Sequence, residues 1–190
     1  MNLNEIVLKN KSYRRFCQEV KMDFSALKEI VELARLSASG GNIQPLKYIF
    51  SFEPEKNELI FRNLAWAAYF KNWPGPAEGE RPSAYIIVLG DKRLKDSFGH
   101  DPGIAVQSIL LGAVEKGFGG CIIGSINRES LRKDINIKDQ YEILLVLALG
   151  KPKESVVIEP LGPDGDIKYW RDEKNIHHVP KCSLEELIIG

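Results

Sequence analysis

An α+β fold, with helices packed around one sheet, is predicted for this 190-residue chain by three observations. Segments with helical spacing of apolar residues alternate irregularly with short continuous apolar runs, without the strand–helix–strand order of a parallel-sheet protein. The most hydrophobic run, "EILLVLALG" (142–150), is expected to form a central strand. No repeat, low-complexity tract or long linker divides the chain, and 44% apolar content supplies one core, so a single domain over residues 1–190 is expected.

The elements follow from local chemistry. In "DFSALKEIVELARLS" either Asp23 or Ser25 caps an amphipathic helix whose Leu27, Ile30, Val31 and Ala34 share a face. "KYIFSF" (47–52) and "ELIF" (58–61) have the character of two strands joined as a hairpin across the polar "EPEKN". "RNLAWAAYFKN" suits a helix and is followed by the Pro/Gly segment "WPGPAEGERPS". "AYIIVLG" is a buried strand, and a helix from about Gly103 to Lys116 is stopped by Gly117. "CIIG" is short and extended, and Asn127 caps a helix through "RESLRKDI". Beyond the central strand, "DGDIKYW" follows an Asp-Gly turn, "NIHHV" is extended, and "SLEELII" opens with a capping box of Ser183 and Glu186.

Composition narrows the function. Lys plus Arg balances Asp plus Glu, 26 against 26, which disfavours non-specific binding to nucleic acid or anionic membrane. No apolar run approaches the roughly 20 residues of a membrane span, and "MNLNEIVLKNKSYRRF" lacks the apolar centre of a signal peptide. Cys17, Cys121 and Cys182 are odd in number and widely spaced, as expected of free thiols in a reducing cytoplasm. His177 and His178 are adjacent on an extended segment and face opposite ways, and His100–Asp101 has no third ligand at metal spacing, so no metal site is expected. No serine sits in G-x-S-x-G, which leaves nucleophilic hydrolysis without support.

Three segments carry candidate chemistry. "GFGGCIIG" (117–124) imitates a dinucleotide fingerprint, but Ile122 occupies the third glycine position and the segment runs from helix to strand, the reverse of the required order. It suits a helix cap and tight turn, although Gly119 and Gly120 also permit backbone N–H groups to approach a flat ligand. "KNKSYRRF" gathers Lys9, Lys11, Arg14 and Arg15 around Ser12, either as a solvated charged face, the commoner outcome, or as a phosphate clamp. A second basic set, Lys168, Arg171 and Lys181, lies near the C-terminus. In "SASGGNIQP" (37–45) small residues allow a tight backbone, and Pro45 is expected to hold Gln44 extended. Asn42 and Gln44 then either satisfy their own loop or present donors and acceptors to the edge of a planar heterocycle.

In their order along the chain, these segments resemble the FMN-dependent nitroreductase family. "KSYRRF" is similar to its N-terminal Arg-Ser-x-Arg motif, with Lys11 in the first basic place. "SASGGNIQP" is similar to its Ser-x-x-Asn-x-Gln-Pro turn, "GIAVQSILLGAVEKGFGGCIIGS" to its helix and Gly-x-Gly turn, "LALGKP" to the following strand, and "HHVPKCSLEELI" to its C-terminal basic segment.

The resemblance implies a central, mainly antiparallel mixed sheet surrounded by helices, and a homodimer whose C-terminal extension embraces the partner. Two FMN sites would lie at the interface, each built from both subunits. Lys11, Ser12, Arg14 and Lys181 would hold the phosphate and ribityl chain. Ser39, Gly41, Asn42 and Gln44 would meet the ring edge, with Gly119 and Gly120 close to the isoalloxazine. Hydride would pass from NADH or NADPH to flavin N5 and on, by a ping-pong route, to a nitroaromatic, a quinone or a related small acceptor, with no side chain assigned as catalyst. Other chemistry on the same scaffold (reductive dehalogenation, flavin fragmentation, reduction of one metabolite) and flavin binding with little turnover are the competing implications.

Cys182 stands where the family commonly has Arg, which weakens the C-terminal half of the clamp or leaves it to Lys181. Trp73, in "KNWPGPAEGERPS", is either a wall over the substrate face or part of an ordinary surface loop.

Overall fold

The computed structural model describes residues 1–190. Its centre is β5 (Tyr141–Pro152). One side of β5 pairs with β3 (Ala84–Asp91), which pairs in turn with β2 (Leu46–Ser51). The other side is shared end to end by β4 (Gly119–Ile123) and the two-residue β1 (Phe16–Cys17). All four pairings are antiparallel.

Every residue of β3 is buried, so its alternating side chains feed two cores. Ala84, Ile86 and Val88 join Leu27, Ile30 and Ala34 of α2 (Phe24–Leu36) and Val106, Ile109 and Ala113 of α4 (Asp101–Glu115). Tyr85, Ile87 and Leu89 turn the other way, onto Ile60, Trp66 and Leu131. The continuous apolar character of β3 and β5 is thus the mark of strands covered on both faces.

Helix α2 is capped by Asp23, whose carboxylate accepts from the Ala26 N–H at 2.8 Å. Helix α4 stops at Gly117, which takes a φ of +79°. Asn127 caps α5 (Arg128–Asp134) through Ser130 N–H, and Ser183 and Glu186 form a reciprocal capping box on α6 (Leu184–Leu187). The C-terminal segment adds a small second sheet: β6 (Val156–Pro160) lies parallel to β8 (His177–Lys181), which pairs antiparallel with β7 (Trp170–Arg171).

Two expectations are corrected. Residues 58–61 are not a hairpin strand but the end of helix α3 (Pro54–Phe61). Pro54 pre-sets the first helical turn, Glu and Lys sustain it, and the neighbour of β2 is β3 instead. Nor is "RNLAWAAYFKN" a helix. Leu64 bridges Ile126, the Ala65 N–H donates to the Ser125 carbonyl at 3.0 Å, and Ala67 and Asn72 take φ of +43° and +64°. These cross-chain bonds let a turning segment bury Trp66, which outweighs helix propensity. A further helix, α1 (Leu3–Lys9), opens with a capping box of Asn2 and Glu5 that the sequence reading passed over.

Gly120 shows how tightly β4 is held. A Cβ there would lie 2.7 Å from the Ala148 carbonyl oxygen, a backbone atom of the paired strand. Gly120→Ala is expected to cost about 1–3 kcal/mol, the usual range for overpacking, measured by chemical denaturation. An unchanged midpoint would show that the strand shifts freely.

Candidate functional site

The N-terminal segment meets the edge of β4 through a single bridge. Ser12 bridges Gly120 in parallel, and the Tyr13 N–H donates to the Gly120 carbonyl at 3.0 Å. A Cβ on Gly119 would come within 2.6 Å of the Tyr13 ring, so this glycine serves the close approach of the segment itself. Gly119 and Gly120 are both buried.

The charges around this segment fall into two groups. Arg15 pairs with Glu80 at 3.3 Å, Lys153 with Glu80 at 3.1 Å, Arg171 with Glu154 at 2.9 Å, and Lys168 with Asp166 at 3.6 Å. Lys9, Lys11, Arg14 and Lys181 make no ion pair. Lys11 and Lys181 come from opposite ends of the chain, yet burial first and the Lys181 charge second hold the Lys11 ammonium below the usual lysine range. Two uncompensated cations facing each other favour an anion between them.

Arg14 is also unpaired. Its guanidinium lies 4.5 Å above the Tyr169 ring, Nη1 is 3.4 Å from the Ser12 carbonyl, and the buried Nε has no partner. The donors that remain are those a phosphate takes from arginine.

Arg14 and Tyr169 line a cleft of about 180 Å³ with residues 65–68 and 121–125. Its floor is the outer edge of β4. Tyr13 and Ala65 cover that edge at Gly120 and Ser125. Peptide groups alternate along a strand, so those of Ile122 point outward between the two, as those of Gly120 do. The indole Nε1 of Trp66 is buried there without a partner. An unpaired strand edge beside apolar side chains and a cation suits a flat, polar-edged, anionic ligand. Cys121 also lines the cleft, and burial pushes its thiol up.

Trp73 is placed elsewhere. It is half-buried against the second core, edge-on to Phe70 and under the Arg171 guanidinium at 4.7 Å. The rings at the cleft are Trp66 and Tyr169.

The second candidate segment follows α2. Asp101, buried in the first turn of α4, organises it: Ser39 Oγ donates to Oδ2 at 2.7 Å and the Gly40 N–H to Oδ1 at 2.9 Å. Those two bonds, from Ser39 first, hold the Asp101 carboxyl below the usual carboxylate range. Ser39 Oγ in turn accepts from the Gln44 N–H at 3.0 Å. Gly41, Asn42 and Gln44 all take left-handed φ, +59°, +55° and +53°.

Gln44 is therefore not extended as expected. Its N–H is drawn back to Ser39, and the side-chain Nε2 donates to the Asn42 carbonyl at 3.2 Å. Asn42 and Gln44 remain exposed at the tip. Beside them is a cleft of about 220 Å³ that includes Ser39, Gln44, Tyr48 and Asp101. Burial first and the Asp101 charge second push the Tyr48 hydroxyl up to about 12. Asp101 was missed in the sequence, where "HDPG" at the start of a helix was its one signal.

One chain does not bring the two segments together. From β4 to β2 is three strand spacings, about 14 Å, and from Ala84, level with Gly120, to Gly90, level with Leu46, is about 20 Å along the strand. Arg14 and the Ser39–Gln44 turn thus occupy opposite edges and opposite ends of the sheet, in separate clefts.

At the C-terminus Cys182 is exposed, which excludes a core role, and it shares a surface cleft with Lys181, Ser183 and Glu186. His177 and His178 face opposite ways, the first fully buried, the second stacked on Trp170 and bonded to Glu159 at 2.7 Å. No group of three or more His, Cys, Asp and Glu side chains is placed to hold a metal ion, and no helix is long and apolar enough to cross a membrane.

Comparison with known proteins addresses the same elements. The family model described as "Nitroreductase family" matches residues 7–151. A Bacillus subtilis (strain 168) protein named "Putative NAD(P)H nitroreductase MhqN" is 23% identical over 168 residues, which cover 67% of this chain and 77% of that one. Among solved structures, a nitroreductase family protein from Clostridium novyi NT superposes with a TM-score of 0.68 at 20% identity over 98% of both chains. An FMN-dependent nitroreductase from Clostridium difficile R20291 superposes with a TM-score of 0.66 at 20% identity, covering 80% of this chain and 89% of that one. The family match runs from helix α1 into β5, through both candidate segments and the glycine turn beyond them, and the chain belongs to the nitroreductase family of oxidoreductases.

Proposed function

We propose that residues 1–190 act as an FMN-dependent oxidoreductase that takes hydride from NADH or NADPH and delivers it to a small acceptor of the nitroaromatic or quinone type. The observation that carries this reading is the Arg14 guanidinium, without a carboxylate partner beside an open strand edge, together with the mutually repelling and unpaired Lys11 and Lys181. The residues present suit FMN: a dianionic phosphate answers the mutual repulsion of Lys11 and Lys181 and the unused donors of Arg14. When bound, FMN supplies the hydride chemistry.

The chain's own work is binding and orientation. Lys11, Ser12, Arg14 and Lys181 hold the phosphate end. The outward peptide groups near Ile122 and the rings of Trp66 and Tyr169 meet the flat body and keep water from one face. Because Ser39, Asn42 and Gln44 lie across the sheet from this cleft, we assign them to the site of a second copy, in a homodimer with two sites. Asp101 fixes the shape of that turn through Ser39 and Gly40.

The reading is tested by purifying the protein with its flavin and mixing it anaerobically with NADPH or NADH in a stopped-flow spectrometer. Bleaching of bound flavin followed by reoxidation on adding a quinone or nitroaromatic is expected. Bound flavin that neither nicotinamide reduces would contradict it.

A smaller effect is expected at Cys182. Its side chain is exposed beside Lys181, so Cys182→Arg is expected to tighten FMN binding by about 1 kcal/mol, the scale of a solvated charge contact, with the gain shrinking in added salt. Unchanged affinity would show that the new guanidinium turns to Glu186 instead.

A further inference from the structure

Glu154 lies just beyond β5 with its side chain only 2% exposed. One carboxylate oxygen accepts from the backbone N–H groups of both Arg14 and Arg15, the latter at 3.1 Å. The other accepts from Arg171 Nη2 at 2.9 Å, and the fully buried His177 presents Nδ1 to it at 3.8 Å. The Arg171 guanidinium in turn lies 4.7 Å over the rings of Phe70 and Trp73. One buried carboxylate therefore ties together the N-terminal segment, the C-terminal sheet and the 70–73 turn.

A buried carboxylate is costly unless its oxygens are fully engaged, and these are. Burial pushes the Glu154 carboxyl up, but the facing His177 ring, the Arg14 amide and the Arg171 guanidinium outweigh it and leave the group below the usual range. The arrangement has a second consequence. Glu154 engages the backbone of Arg14 and the side chain of Arg171, so the Arg14 side chain is fixed at its root but keeps its charge free. A carboxylate that paired with the Arg14 guanidinium would cancel the clamp.

We propose that Glu154 is a positioning residue for ligand selection: by pinning the Arg14 backbone and neutralising Arg171, it directs the Arg14 guanidinium over Tyr169 into the cleft and so sets the preference for a phosphate-bearing flavin. This rests on the reading that Arg14 holds the flavin phosphate.

The test compares FMN and riboflavin affinities of the full-length wild type, Glu154→Gln and the volume-matched double variant Glu154→Met/Arg171→Met, with the melting temperature of each apoprotein. The double variant removes the buried ion pair together but leaves the Arg14 and Arg15 N–H groups without their acceptor, whereas Glu154→Gln keeps an acceptor oxygen and leaves Arg171 unpaired. The FMN-to-riboflavin preference is expected to fall by about tenfold or more in whichever variants fold, the scale of one charge-assisted hydrogen bond, with riboflavin affinity unchanged. A preference equal to wild type, or equal loss of both flavins, would overturn the positioning role and leave the phosphate clamp standing. A wild type that binds the two flavins equally would overturn the clamp and the positioning role together.

Discussion

Deletion of residues 161–190 is expected to abolish FMN retention. The deleted part carries Lys181, an unpaired cation of the proposed clamp, and Tyr169, on which the Arg14 guanidinium stacks. It also carries Arg171, the side-chain cation paired with the buried Glu154. β6 would lose its neighbour β8, and the rings of Phe70 and Trp73 would lose the guanidinium that lies over them. A buried carboxylate left without its cation costs about 3–5 kcal/mol, a large fraction of the stability of a domain this size. Size-exclusion chromatography with absorbance at the flavin band should show colourless monomer or aggregate. A truncated protein that elutes as a yellow dimer would contradict both the clamp and the role of the tail in assembly.

Arg14→Ala is the most focused of the substitutions. Its guanidinium has no carboxylate partner, so its removal leaves no protein charge uncompensated, and the loss should appear in the ligand. FMN binding is expected to weaken by about 1.5–3 kcal/mol, the range for hydrogen bonds to a charged group, while riboflavin binding changes little. The apoprotein should lose at most the stacking on Tyr169, about 0.5–1 kcal/mol. An FMN isotherm like that of wild type would remove Arg14 from the site.

The fold was legible wherever burial imposed a pattern. β3 and β5 are covered on both faces and read as continuous apolar runs, and α2 and α4 carry the spacing of one buried face. The reading failed where short apolar runs had no such rule. "ELIF" has the length of a strand, but Pro54 and the preceding polar residues make it the last turn of a helix. "AWAAYF" has helical spacing, but the Ala65 N–H is taken up by Ser125 and the Trp66 ring by the second core.

The candidate site divides along the same line. Lys11, Ser12, Arg14 and Lys181 stand out because basic residues cluster in sequence and match a familiar order of motifs. Glu154 and Asp101 do not, because an acidic residue announces nothing until its partners are known. Glu154 meets the Arg14 amide across 140 residues, and Asp101 meets Ser39 across 62. Their work is to shape backbone, and backbone partners leave no trace in residue type. The same holds for Gln44, whose left-handed φ is set by the Ser39 hydroxyl and not by Pro45 alone.

The central claim is that each flavin site joins the Lys11–Arg14–Lys181 clamp of one chain to the Ser39–Gln44 turn of another. It is tested most directly by a mixed dimer. Arg14→Ala and Asn42→Ala/Gln44→Ala chains, carrying different affinity tags, are co-expressed and the heterodimer is isolated through both tags. One of its two sites then has an intact clamp facing an intact turn, and the other has neither. At an FMN concentration that fills wild type but neither variant homodimer, native mass spectrometry should show one FMN on the heterodimer. A heterodimer as empty as the two parents, or a flavin held by a monomer, would contradict the account.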